Sequence, residues 1–133
     1  MANYVVHFEI FVDNLDRAKE FYTKVLGWAF KDEKEMNYTL VYPAGKVEDG
    51  PAKVGINGGM VLKANSTAEN KKGAPNAFVC TVAVDNIDSV LSKVQQNGGR
   101  IDMPVEEIPG VGRLAYIRDT EFNLVGVLQP NMR

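Results

Sequence analysis

Val6-His7-Phe8-Glu9-Ile10-Phe11-Val12-Asp13-Asn14-Leu15-Asp16 decides how this chain is read, because it occurs twice. The weaker second copy is Val79-Cys80-Thr81-Val82-Ala83-Val84-Asp85-Asn86-Ile87-Asp88. Val12 to Val84 is a step of 72 residues, and so is Gly27 to Gly99, the glycines that close the helical pattern after each copy. A shared offset across strand, turn and helix end marks an internal repeat of one supersecondary unit. Two similar modules are therefore expected, with a functional site where they face each other.

Residues 4–12 alternate over β-rich residues and predict a strand. Successive side chains point to opposite faces. Tyr4, Val6, Phe8, Ile10 and Val12 form an apolar face suited to packing under a helix, and Val5, His7, Glu9 and Phe11 form a mixed face suited to a cavity wall. Asp13 or Asn14 can cap the helix that follows. Its apolar stripe is Leu15, Ala18, Phe21, Tyr22, Val25 and Leu26, and Gly27 ends it. Strands are expected at 28–33, 36–43 and 54–63, with a loop from Pro43 to Pro51. The second module repeats this order: strand 77–84, helix 86–97 with Ile87, Val90, Leu91 and Val94 as its stripe, then strands 100–107, 113–118 and 124–129. The class is α+β, two βαβββ modules. The chain reads as one domain, residues 1–133, built from modules 1–64 and 76–133 joined by a polar linker, 65–75.

Of the 133 residues, 45% are hydrophobic and 24% charged, the balance of a soluble globule. A net charge of −2 leaves no electrostatic footprint for nucleic acid or an anionic membrane. No apolar run approaches a transmembrane span, and the first residues lack the pattern of a signal peptide. The single cysteine, Cys80, rules out an internal disulfide framework, so a reducing, cytoplasmic setting is expected. Lying opposite Val79, Cys80 is expected under a helix as a buried, inert thiol.

His7, Asp16-Arg17-Ala18, Phe21-Tyr22 and Val25-Leu26-Gly27-Trp28, with the turn Asp119-Thr120-Glu121-Phe122-Asn123, resemble the vicinal-oxygen-chelate superfamily, the glyoxalase / bleomycin-resistance / extradiol-dioxygenase fold. Thr120 and Phe122 depart from that family's Asp-Pro-x-Gly-Asn turn. His7-Phe8-Glu9-Ile10, Gly58-Gly59-Met60, Ile108-Pro109-Gly110-Val111-Gly112 and Val127-Leu128-Gln129-Pro130 resemble its branch of lactoylglutathione-lyase-related proteins. The resemblance implies paired half-barrels around a cavity, a small-molecule ligand and a homodimer, with modules paired within or between chains. The charge and the lack of a long apolar run imply no nucleic-acid partner and no membrane.

Metal-dependent members of that superfamily place one ligand on each of four strands. Carried onto this chain, those positions are His7, a residue near Gly59, Val79 and Gly126. Gly and Val offer no side-chain donor, and His7 is the only histidine. The expectation is therefore no cofactor, with a metal held partly by His7 as the alternative, and metal-dependent glyoxalase I activity is not expected. Two function classes stay open, with a regulatory or interaction domain whose cavity is vestigial as a third. One is a metal-free binder of a small, partly apolar molecule, with His7, Glu9, Phe11, Gly59, Val79, Thr81, Tyr116 and Gly126 as contacts. The other is a lyase or isomerase in which His7 and Glu9 are the catalytic acid-base pair. A carboxylate facing a cavity needs a partner. For Glu9 that is a cationic or hydroxyl-bearing ligand, or Arg113 or Arg118. The glycines at 55, 58 and 59 do not lead from a strand into a helix, so they are not a dinucleotide loop. They fit close backbone packing, or room for a ligand. Phe11, Tyr38, Tyr42, Tyr116 and Trp28 could supply aromatic wall. The Ile108–Gly112 loop reads as a cavity rim or a plain turn, Asp119–Asn123 as a structural turn.

Overall fold

The computed structural model describes residues 2–63, 78–121 and 123–131. The expected linker, 65–75, and Phe122 lie outside the described residues. The chain folds as two compact units, one containing residues 7–63 and Phe78, the other residues 2–6 and 79–131. Among the described residues there are eight strands and two α-helices.

The first unit runs β1 (Val5–Val12, within the unit from His7), α1 (Leu15–Leu26), β2 (Ala29–Glu33), a 3-10 turn at Lys34–Met36, β3 (Tyr38–Tyr42) and β4 (Gly58–Leu62). Its strands are ordered β2-β3-β4-β1, with β1 and β4 parallel and the other pairs antiparallel. The second unit runs β5 (Phe78–Ala83), α2 (Ile87–Gln96), β6 (Arg100–Ile108), β7 (Gly112–Arg118) and β8 (Leu124–Pro130). Its order is β6-β7-β8-β5, again with the first and last strands parallel. The same βαβββ path, wound the same way, is the structural form of the sequence repeat.

The caps repeat as well. Asn14 Oδ1 accepts the Arg17 backbone N–H at 2.9 Å, and Asn86 Oδ1 accepts that of Ser89 at 3.0 Å. Asn14, not Asp13, is therefore the first cap. At the other end the left-handed glycines are Gly27 (φ 73°) and Gly98 (φ 90°), one residue short of the 72-residue step. Gly99 is required for a different reason: a Cβ there would come within 2.8 Å of the Arg118 carbonyl.

Each helix covers one face of the strands of its own unit. In the first unit Phe8, Ile10, Val41 and Met60 form the core, with Leu15, Ala18, Tyr22, Trp28 and Phe30 against it. Tyr22 and Trp28 stack at 5.0 Å. Lys19 of α1 reaches Asp32 on β2 at 3.0 Å, and the Thr39 hydroxyl donates to the same carboxyl, holding it below the usual carboxylate range with help from Lys19. In the second unit Val84, Ile87, Leu91, Ala115 and Val127 form the core.

Four expectations are corrected. Tyr4 and Val6 are exposed, not covered by a helix, because α1 packs on the Phe8–Val12 part of β1. They line instead a shallow recess of about 240 Å³ with Ala83, Val84 and Pro130. Phe21, Val25 and Leu26 stay more than half exposed, so only part of the α1 stripe is packed. Strand β4 begins at Gly58, not at 54, after Gly55 turns the chain with φ 71°. Cys80 is exposed, because the core under α2 begins at Val82, further along β5, and continues to Val84 just past its end.

Candidate functional site

The chemistry of the first unit follows from three strand registers. Phe8 and Ile10 point into the core, so His7 and Glu9 stand on the other face of the sheet. Glu9 pairs in register with Gly59 on β4, and Gly59 with Leu40 on β3. Tyr38 shares a face with Leu40, two strands from β1, or roughly 10 Å away at ordinary strand spacing. It reaches β1 because Gly59, on the strand between, carries no side chain. A Cβ at Gly59 would overlap the Tyr38 hydroxyl.

In that gap the Tyr38 hydroxyl donates to Glu9 Oε2 at 2.9 Å and lies 2.6 Å from His7 Nε2. A phenol has one O–H proton; given to the Glu9 carboxylate, it leaves the oxygen to accept from His7, and this pattern assigns the ring hydrogen to Nε2. Burial lowers the His7 pKa from 6.5, partly offset by the charge of Glu9, and the ring is neutral at neutral pH. The order is Nε2–H to Oη–H to carboxylate. Glu9 itself is buried, 8% exposed.

His7 opens onto a cleft of about 350 Å³, with Leu40 and Tyr42 on its floor and Lys31, Glu33 and Asn57 around it. Phe11, further along β1, is buried and pairs with Val61. The expected contacts His7, Glu9 and Gly59 are thus brought together, and Phe11 stands apart, beyond Glu9.

In the second unit Thr81 pairs with Gly126, and Gly126 with Tyr116. Val79, Thr81 and Tyr116 are buried. A Cβ at Gly126 would overlap Thr81 Oγ1 and approach the Tyr116 ring to 3.2 Å. The two units therefore share a device, a glycine whose vacant side-chain position is filled by a hydroxyl from another strand. Glu9 and Thr81, 72 residues apart, sit opposite these glycines.

Both arginines considered for Glu9 have carboxylate partners within the second unit. Arg113 pairs with Asp88 at 3.0 Å and Glu107 at 3.2 Å. Arg118 pairs with Asp102 at 3.4 Å, both almost wholly buried. Asp102 is the extra residue of a bulge between Ile101 and Met103, so no strand alternation could have announced it. Tyr38 was legible only as an aromatic in the wall. The signal for its larger role was Gly59, read as close backbone packing or room for a ligand; the Tyr38 hydroxyl takes that room instead. Asp119 Oδ1 accepts the backbone N–H groups of Glu121 and Asn123, as expected of a turn.

The metal set implied by the family resemblance does not fit these residues. Of its four positions only His7 has a donor, and the space above Gly59 and Gly126 is taken by the Tyr38 and Thr81 hydroxyls. Among the described residues no three His, Cys, Asp or Glu side chains cluster as a metal site.

The sequence profile of the Glyoxalase/Bleomycin resistance protein/Dioxygenase superfamily matches residues 4–127. "Putative glyoxylase CFP32" of Mycobacterium bovis and of Mycobacterium tuberculosis is 32% identical over 114 residues, 86% of this chain and 41% of the relative. The chain thus spans about two fifths of the length of these curated relatives. Methylmalonyl-CoA epimerase from M. tuberculosis has a similar fold, with a TM-score of 0.63 at 17% identity, covering 96% of this chain and 88% of the epimerase. So does a superfamily member from Vibrio splendidus 12B01, at 0.63 and 12% identity, covering 98% of this chain and all of the other. Among the described residues no helix is long and apolar enough to cross a membrane.

Proposed function

The chain belongs to the glyoxalase/bleomycin resistance protein/dioxygenase superfamily, and from that premise we propose that it binds a small, partly apolar molecule in the cleft at His7 without a metal. The observation that carries the reading is the Tyr38 hydroxyl, seated over Gly59 and bonded to both His7 and Glu9. Protein groups already occupy the space in which a ligand-bearing side chain would stand. What is left is a polar end at His7 beside the apolar surface of Leu40 and Tyr42, the mixture typical of small-molecule sites.

A second reading has one specific support. An imidazole joined to a carboxylate through a phenol is a path along which a proton can move, so His7 and Glu9 could serve a metal-independent lyase or isomerase. The curated relative named a glyoxylase is consistent with an enzyme.

The deciding experiment is a thermal-shift screen of small apolar and amphipathic molecules in the presence of a chelator, followed by titration of the hits. The binding reading expects a saturable hit that is weakened by Asn57→Trp, which fills the cleft from its side, and survives His7→Ala with no turnover. Turnover abolished by His7→Ala supports the enzyme. A hit that binds only when divalent metal is restored overturns both. The reading makes the protein a cytoplasmic homodimer, and the exposed Phe21, Val25 and Leu26 on α1 supply apolar surface for a partner copy. Sedimentation equilibrium tests this, with a monomer at all concentrations as the contrary result.

A further inference from the structure

Because Nε2 of His7 faces Tyr38, its other ring nitrogen is the one left to meet a ligand. Among the described residues no group is bonded to Nδ1, and no buried side-chain nitrogen or oxygen lacks a partner, so Nδ1 is open to solvent. In the Nε2–H tautomer Nδ1 holds a lone pair and no hydrogen. The cleft therefore presents an acceptor at its polar end.

The charged groups lining the cleft act in the same direction. Glu33 on β2 and Glu48 and Asp49 in the loop after β3 are three carboxylates; Lys31 lies 3.5 Å from Glu33 and Lys46 3.9 Å from Glu48, so the rim keeps a net negative charge. Such a rim repels a carboxylate or phosphate.

We propose that the ligand of this cleft donates an N–H or O–H hydrogen bond to His7 Nδ1, carries an apolar body against Leu40 and Tyr42, and bears no carboxylate or phosphate. The proposal rests on the binding reading above and gives it a ligand class. The relay behind the ring defines its polarity: Glu9 fixes the phenol proton, the phenol fixes the Nε2 proton, and Nδ1 is committed to accepting.

The test uses the chain's only histidine as its own reporter. With 15N-labelled imidazole, two-bond spectra show which nitrogen is protonated, and only one ring contributes. At pH 7.5 the free protein is expected to show Nε2 protonated and Nδ1 bare. Benzylammonium is expected to saturate and to shift the Nδ1 resonance. Benzyltrimethylammonium, with the same charge and no N–H, is expected to bind about tenfold more weakly and leave Nδ1 unmoved. Benzoate is expected not to bind. The reverse tautomer, failure of benzylammonium to bind, or benzoate binding as well as benzylammonium each overturns the inference. If any of these occurs while a molecule from the screen still saturates the cleft, the donor assignment fails and the binding reading stands. If nothing in the screen saturates it, both fail.

Discussion

Gly59→Ala is a one-carbon change whose cost is set by Tyr38. The backbone at Gly59 is outside the positive-φ region, so alanine brings no conformational strain of its own. Elsewhere in a strand such a change stabilises by about 0.4–1 kcal/mol through the unfolded chain. Here the new Cβ overlaps the Tyr38 hydroxyl, and the ring must leave. Overpacking of this kind costs about 1–3 kcal/mol. Displacing the phenol also takes away a bond to the buried carboxylate of Glu9, worth about 1.5–3 kcal/mol. The net expectation is a loss of about 1.5–5.5 kcal/mol. In a Tyr38→Ala background the obstacle is gone, and the same Gly59→Ala change is expected to be neutral or to stabilise by up to about 1 kcal/mol. Urea unfolding of the four proteins of this cycle gives the coupling directly. Should Tyr38→Ala not fold, Tyr38→Ser takes its place. A Gly59→Ala protein as stable as the parent, or an equal cost in both backgrounds, would refute the claim that Tyr38 fills the glycine's space.

Three further expectations follow from the same geometry. His7 is depressed below 6.5 by burial, so under acid the unfolded chain takes up a proton that the folded chain refuses. Its contribution to stability is complete above about pH 6.5 and falls as pH drops below it, levelling once the folded ring is protonated. Unfolding free energies from pH 7.5 to 5 should show this slope, and His7→Gln should remove it. Asp102→Ala breaks the buried ion pair with Arg118 and is expected to cost about 3–5 kcal/mol in urea unfolding; a loss below 1 kcal/mol contradicts this. Asn14→Ala and Asn86→Ala each remove a helix cap and should each cost about 1 kcal/mol, with an inert Asn86→Ala counting against the repeat of local structure.

The fold was readable because its signals are local. Alternation in residues 4–12, caps at Asn14 and Asn86, and helix-stopping glycines are each fixed by a few neighbouring residues, and the repeat doubled the evidence. Where the reading failed, the deciding fact was how far an element extends over its neighbour. Cys80 and Val82 share a face of β5, but the packed core begins at Val82. Phe21, Val25 and Leu26 belong to a well-formed stripe that the sheet covers only in part. The site was half legible for a similar reason. Alternation put His7 and Glu9 on one face, and the glycine at 59 advertised an empty position. What fills it is a tyrosine 21 residues earlier, brought over β4 by registers that no periodicity encodes. Asp102 was hidden further, since a bulge breaks the alternation from which facing residues are read.

The central claim is that hydroxyls of the chain's own Tyr38 and Thr81 stand where metal-ligating side chains would, leaving a cleft that binds its ligand without a metal. The most direct measurement is elemental analysis of untagged protein after dialysis against Zn²⁺, Ni²⁺, Mn²⁺ and Fe²⁺ in turn, with His7→Ala beside it. The account predicts metal well below one equivalent in both proteins. One equivalent in the parent, lost in His7→Ala, would contradict it.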